Sequence, residues 1–104
     1  MQIILSPMRR DRRLSLEKAG DVLVINGEAF DFSGIPNGAT LPREAIDSDW
    51  IADDVARDAQ GVLTVPVRVP HGANAPQETL FPAPITITQD GPIALPPYEQ
   101  ELEP

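Results

Sequence analysis

The sequence predicts a small all-β domain: an antiparallel meander closing into a partly open barrel or sandwich, with one short helical turn near residues 42–46. Three observations predict it. Asn26-Gly27 separates the apolar run Val22–Ile25 from a second run containing Phe30 and Phe32. Asn-Gly between apolar runs favours a two-residue type I′ hairpin turn, whose central residues both take positive φ. The stretch from Leu63 to Val69 alternates strictly, so Leu63, Val65, Val67 and Val69 face one way and Thr64, Pro66 and Arg68 the other. Finally, 12 prolines and 7 glycines are spread through 104 residues. Proline breaks helix interiors, and its distribution limits any helix to about ten residues.

Taken in order, Gln2–Leu5 reads as a first strand stopped by Pro7, followed by a polar, arginine-rich connection over 8–13. Residues 13–18 alternate Leu14 and Leu16 with polar neighbours, a half-buried strand. Ala19-Gly20-Asp21 is a turn. Strands 13–18, 21–25 and 28–32 then form a meander, because short connections make neighbouring strands pair. Residues 33–41 are loop by composition. Pro42 suits the first position of a helical turn over Pro42–Ile46, with Ile46 inward. Residues 47–59 admit two readings: an amphipathic helix with Ile51 and Val55 four apart, or a strand ending in a turn at Asp58–Gly61. The strand is preferred, since it gives the long strand after Gly61 a local partner. Pro66 removes a ladder donor and puts that strand at a sheet edge or on a bulge. Residues 70–79 are a polar loop, and 85–88 make a last short strand. The expected organisation is one β domain over 1–90 and a proline-rich, acidic tail over 91–104, extended in isolation. The expected core is Ile4, Leu14, Leu16, Leu23, Ile25, Phe30, Phe32, Ile46, Trp50, Leu63, Val65, Val67 and Ile87.

Charge narrows the function classes. The formal net charge is −8, unevenly placed: residues 1–18 carry five basic groups against two acids, and the remainder three against fourteen. Phosphate neutralisation dominates nucleic-acid affinity, so a chain this acidic is a poor nucleic-acid binder. There is no cysteine, hence no disulfide framework or thiolate metal site. No apolar run approaches a membrane span. Met1–Pro7 followed by arginines reverses the order of a signal peptide. The expected location is cytoplasmic or on a virion, with no membrane partner and no cofactor.

Candidate chemistry is sparse. His71 is the sole histidine, so arrangements needing a second imidazole are excluded; it reads as an exposed loop residue. No glycine-rich phosphate loop, G-x-S-x-G or H-E-x-x-H motif occurs. A Ser33–His71 pair has nothing to favour it. Asp47, Asp49, Asp53, Asp54 and Asp58 lack the spacing of a calcium loop and read as solvated surface. Arg9, Arg10, Arg12 and Arg13 form a cluster suited to phosphate or to an acidic protein surface; pairing with the chain's own carboxylates, or a subunit contact, is the plainer reading. Trp50, the sole tryptophan, is either a core anchor or a stacking platform for a sugar or base, the former being commoner beside Ile51. Pro96, Pro97 and Tyr98 fall short of a P-P-x-Y ligand because no residue separates Pro97 from Tyr98, but they remain a candidate contact segment, on the chain's own sheet or on a neighbouring subunit.

Three segments carry a resemblance: I-I-L-S-P-M-R-R-D at 3–11, G-D-V-L-V-I-N-G-E-A-F-D-F-S at 20–33 and L-P-R-E-A-I-D-S-D-W at 41–50. They resemble short uncharacterised proteins of phage and prophage tail-gene regions in proteobacteria. The resemblance spans about half the chain and supports strand, turn, strand after Trp50. It implies a phage-related accessory or structural role and transfers no catalytic residue. The expected function is therefore non-catalytic, through contacts with proteins (a second copy or phage tail components), with Arg9, Arg10, Arg12, Arg13, Pro96, Pro97 and Tyr98 as the contact residues. The alternative is a small carbohydrate- or small-molecule-binding module on Trp50 or the His71 loop.

Overall fold

The computed structural model describes residues 1–10, 12–72, 77–80 and 82–95. Within them the chain is mostly strand and forms two sheets. The larger contains β1 (Gln2–Arg9), β5 (Thr40–Leu41), β6 (Val55–Arg57), β7 (Leu63–His71) and β8 (Ile85–Thr86), in the order β5-β6-β7-β1-β8. The smaller contains β2 (Leu16–Ala19), β3 (Val22–Ile25), β4 (Glu28–Asp31) and β9 (Gly91–Ile93), in the order β4-β3-β2-β9. Both sheets feed one buried apolar cluster, and neither closes into a barrel.

The meander forms as expected. β2 pairs antiparallel with β3, and β3 with β4, in the register Leu16↔Ile25 and Ile25↔Glu28. Asn26 has φ +50° and Gly27 φ +84°, the positive values a type I′ turn demands. Asn26 does more than tolerate the turn. Its Oδ1 accepts from Ser15 N at 2.7 Å and its Nδ2 donates to Arg13 O at 3.2 Å, fixing the approach to β2. The helical turn is a 3₁₀ turn over Arg43–Ala45, entered from an extended Pro42, and it delivers Ile46 to the core.

The larger sheet departs from the expectation in ways that share one cause. At its centre β1 runs parallel to β7, from Gln2↔Thr64 to Arg9↔His71. Pairing of chain neighbours cannot foresee this ladder. β1 continues through Pro7, and β7, expected at an edge because of Pro66, is the middle strand. The hydrogen bonds explain both. Arg10 N donates to His71 O, while Ile87 N donates to Met1 O on the other side. Even-numbered residues of β1 therefore aim their backbone at β7 and odd-numbered ones at β8. Pro7 faces the β8 side, beyond the last β8 pairing at Ile3↔Ile85. In β7, Ala52 N donates to Pro66 O and Arg68 N to Trp50 O. Pro66 and Pro70 thus turn their missing donors away from β1. Opposite Pro66 the partner is bulged: between the pairings Ala56↔Thr64 and Ile51↔Val67, residues 52–55 face only 65–66. The bulge expected for Pro66 is present; the edge position is not. The same pairings make 51–57 an extended segment rather than a helix.

Core placement follows the ladder. Ile3 and Val65 are register partners, as are Leu5 and Val67, and all four are buried. Ile4, expected inside, lies half-buried on the other face. The apolar run Ile3-Ile4-Leu5 does not reveal its own phase. Leu14, Phe30 and Ile87 pack at the margin of the cluster, whereas Ile3, Leu5, Ile35, Ile51, Val55 and Ile93 join it from outside the expected core, as does Val69 on the face the alternation assigned it. Gly91–Ile93, read from sequence as the start of the tail, is strand β9 on the open side of β2, with Ile93 buried and Leu95 packed at the core margin. Pro92 lies opposite Glu17, on this outermost strand. Gln77–Leu80 form one helical turn in the expected polar loop. Pro96, Pro97 and Tyr98 lie outside the described residues.

Arg57, on β6, is buried and links the two sheets. Its Nε donates to Ile35 O at 2.7 Å and its Nη1 to Gly61 O at 2.9 Å. Its Nη2 donates to Phe32 O at 3.2 Å and meets Asp21 Oδ2 at 3.0 Å. Asp21 opens the β3 hairpin and Phe32 follows β4, so one guanidinium holds the meander, the 33–38 loop and the Gly61 turn. Replacing Arg57 by Ala strands the Ile35 and Gly61 carbonyls, each costing about 1–3 kcal/mol if left unpaired, and leaves Phe32 O with the Ile35 N–H alone. Urea unfolding of Arg57→Ala is expected to lose about 3 kcal/mol or more; Asp21→Asn, at a partly exposed carboxylate, should lose no more than about 1 kcal/mol.

Asp90 ties β9 to the β2 turn. Its Oδ1 accepts from Gly20 N and from Lys18 Nζ, both at 3.0 Å. The backbone bond from Gly20, then the Lys18 ammonium, hold its pKa below the ordinary 3.8. Folding therefore favours the carboxylate. Its contribution is complete above the unfolded-state value and is lost as pH falls through the lower folded one. In an NMR titration the Gly20 amide should shift with a midpoint below 3.8, and Asp90→Asn should abolish that shift. A midpoint at or above the ordinary value would contradict the assignment.

Candidate functional site

The residues that gather charge and aromatic surface lie where β1 ends and the chain enters the bulged segment. Trp50 is held there by its backbone. Its N–H donates to Ser48 Oγ at 3.2 Å and its carbonyl accepts from Arg68 N at 2.7 Å. The ring is buried, 5 % exposed. The Arg10 guanidinium carbon lies 4.7 Å from the ring centroid and that of Arg12 5.6 Å. Both distances are within cation–π range. Arg10 Nη2 also meets Asp49 Oδ2 at 2.9 Å. Arg68 Nη1 completes the group, donating to Asp49 O at 3.1 Å and lying 3.6 Å from Asp49 Oδ1.

The four clustered arginines therefore have different fates. Arg10 is mostly buried and pairs with the protein's own Asp49, as the self-pairing reading holds; Arg12 lies over Trp50. Arg9 is exposed at the register position opposite His71. Arg13 is exposed, and its carbonyl accepts from Asn26. Arg68, absent from the sequence candidates, joins the group. Ser6↔Arg68 and Met8↔Pro70 are register partners, so alternation places Arg68 and Arg10 on the sheet face opposite Val67 and Val69. Arg68 was not legible: a regular hairpin on the Ala56↔Thr64 register would set Arg68 opposite Ala52, and only the bulge at 52–55 brings it to Trp50.

Other candidates are placed plainly. Trp50 is a core residue under two guanidinium groups, so the ring surface that ligand stacking needs is covered. His71 ends β7, half-buried, with Nδ1 3.0 Å from Gly72 O, rather than lying in an exposed loop. Ser33 N donates to Asp31 Oδ1, and the Ser33 side chain, then this backbone bond, hold the Asp31 pKa below its usual value. Asp54 Oδ1 accepts from Arg43 N, and Asp58 Oδ1 from Gln60 N and Val62 N, so these acids shape turns. Among the described residues no three His, Asp or Glu side chains gather as a metal-holding group, and no helix is long and apolar enough to cross a membrane. Comparison with protein-family models, curated proteins and solved structures found no match to this chain.

What the arrangement offers is a fixed cationic face: two guanidinium groups braced by an indole and a carboxylate, on a chain that is acidic elsewhere. Such groups recognise carboxylates or phosphates with a defined geometry. Arg10→Gln removes a cation–π contact worth about 0.5–1 kcal/mol and an ion pair to an exposed acid worth about 0–1 kcal/mol. A loss of about 1–2 kcal/mol is expected, with a change in the emission of the single tryptophan. Arg12→Gln should change the emission at a smaller cost. An emission spectrum unmoved by both substitutions would contradict the stacked geometry.

Proposed function

We propose that this protein is a non-catalytic accessory or structural component of phage or prophage origin, acting through protein–protein contacts, with tail assembly as its setting. The observation that carries the proposal is the cationic face braced on Trp50, at one end of a chain of net charge −8. A charge of opposite sign to the rest of the molecule steers an acidic partner to one orientation and rejects others. The face draws on segments that carry the resemblance to phage tail-region proteins: Arg10 falls in 3–11, Asp49 and Trp50 in 41–50. Arg12, exposed and over Trp50, is the residue available to meet such a partner, and a second copy of the chain is one candidate.

The test is capture with the intact chain as bait against the proteins encoded beside it. Recovery of a tail component is expected, weakened by salt and by the charge reversal Arg12→Glu. Failure to recover any tail component would contradict the proposal.

A further inference from the structure

We infer that the two Asn-Gly pairs, Asn26-Gly27 and Asn37-Gly38, are sites of spontaneous conversion to isoaspartate that the fold keeps closed, each by holding a different half of the reaction. The reaction needs water and no enzyme. The main-chain nitrogen of the glycine attacks Cγ of the asparagine. A bond from that nitrogen to Cγ forms, the Cγ–Nδ2 bond breaks, and ammonia leaves with the proton that the glycine nitrogen gives up. Water then opens the cyclic imide. Addition at the side-chain carbonyl gives aspartate; addition at the main-chain carbonyl gives isoaspartate, whose main chain runs through Cβ. Glycine in second place leaves the approach unhindered and lets the chain bend to it.

In sequence the two pairs are equivalent, and all four residues are exposed to water. The structure separates them. At Asn26 the electrophile is held. Its Oδ1 accepts from Ser15 N at 2.7 Å and its Nδ2 donates to Arg13 O at 3.2 Å, so the whole amide is pinned to the approach to β2. The type I′ turn, with positive φ at Asn26 and Gly27, holds the main chain on either side. At Asn37 the nucleophile is held. The Gly38 N–H donates to Arg57 O at 2.8 Å and to Asp58 O at 3.2 Å, so this nitrogen keeps its proton and faces β6. The Arg57 side chain holds Ile35 O and Gly61 O beside it. The closure at Asn26 thus depends on the β2–β3 hairpin, and that at Asn37 on the Arg57 junction. Conversion at either removes what held it. Aspartate at 26 sets a carboxylate oxygen against Arg13 O, where Nδ2 donated. Isoaspartate there adds an atom to a turn whose length sets strand register. Isoaspartate at 37 lengthens the loop that Arg57 fastens.

The test incubates the full chain at mildly alkaline pH, native and in guanidinium chloride, and follows fragments split between the two asparagines by mass spectrometry. In the denatured chain both sites should convert at comparable rates. In the native chain each should be slower by about tenfold or more, the factor that two hydrogen bonds supply together. As denaturant rises toward the unfolding transition, conversion at Asn37 should accelerate in step with hydrogen exchange of the Gly38 amide, and conversion at Asn26 in step with that of the Ser15 amide. Native conversion of either asparagine at the denatured rate would overturn the inference. So would conversion at Asn37 that accelerates while the Gly38 amide stays protected, or at Asn26 while the Ser15 amide does.

Discussion

The meander, the 33–38 loop and the Gly61 turn meet at one buried side chain, Arg57. The meander β2–β4 is local and would pair in isolation, but a small sheet of short strands is marginal alone. The larger sheet closes around a parallel ladder between β1 and β7, whose partners are more than sixty residues apart (Gln2↔Thr64). Joining the two requires a loop, 33–38, to lie over their junction with its carbonyls satisfied. Arg57 supplies that satisfaction. Its guanidinium donates to Phe32 and Ile35 on one side and to Gly61 on the other. Asp21 neutralises it from the hairpin. A lysine offers one compact ammonium and not a planar fork, so charge alone would not replace it.

The prolines obey a second constraint. Proline inside a sheet is tolerable only where no ladder needs its N–H. Pro7, Pro66 and Pro70 lie within the paired range of the central ladder, yet all three aim the missing donor outward. The parity that makes this work also puts Ile3, Leu5, Val65, Val67 and Val69 on the core face. One alternation thus serves hydrogen bonding and burial together. The bulge at 52–55 removes the partner that Pro66 could not satisfy, and it turns Trp50 toward the end of β1.

What the sequence disclosed follows the range of each interaction. The Asn26-Gly27 hairpin, the β2–β4 meander, the turn after Pro42 and the inward face of β7 depend on residues within a few positions of each other, and they were legible. The parallel partner of β1, the phase of Ile3-Ile4-Leu5 and the strand at Gly91–Ile93 depend on distant chain, and they were not. Arg57 looked like any polar residue in a segment whose structure was itself open, because nothing local marks a guanidinium that will be buried. At the candidate site, composition revealed the run of arginines and the lone Trp50. Only the fold brought Arg10 and Arg12 over that ring and added Arg68 and Asp49. Trp50, read from sequence as a core anchor first, is buried and also braces a cationic surface.

The cationic face and the Arg57 junction use the same chemistry in opposite settings: one is presented outward on an acidic molecule, the other enclosed to hold it together. Trp50 and Arg68 lie on the two arms of the hairpin whose Gly61 turn Arg57 holds. The most direct measurement is solvent exchange of the Arg57 Nε–H at neutral pH, followed alongside the backbone amides of β3 and β7. Strong protection is expected, lost at the same denaturant concentration as both strands. Exchange at the rate of an exposed guanidinium, with β3 and β7 still protected, would contradict the role given to Arg57.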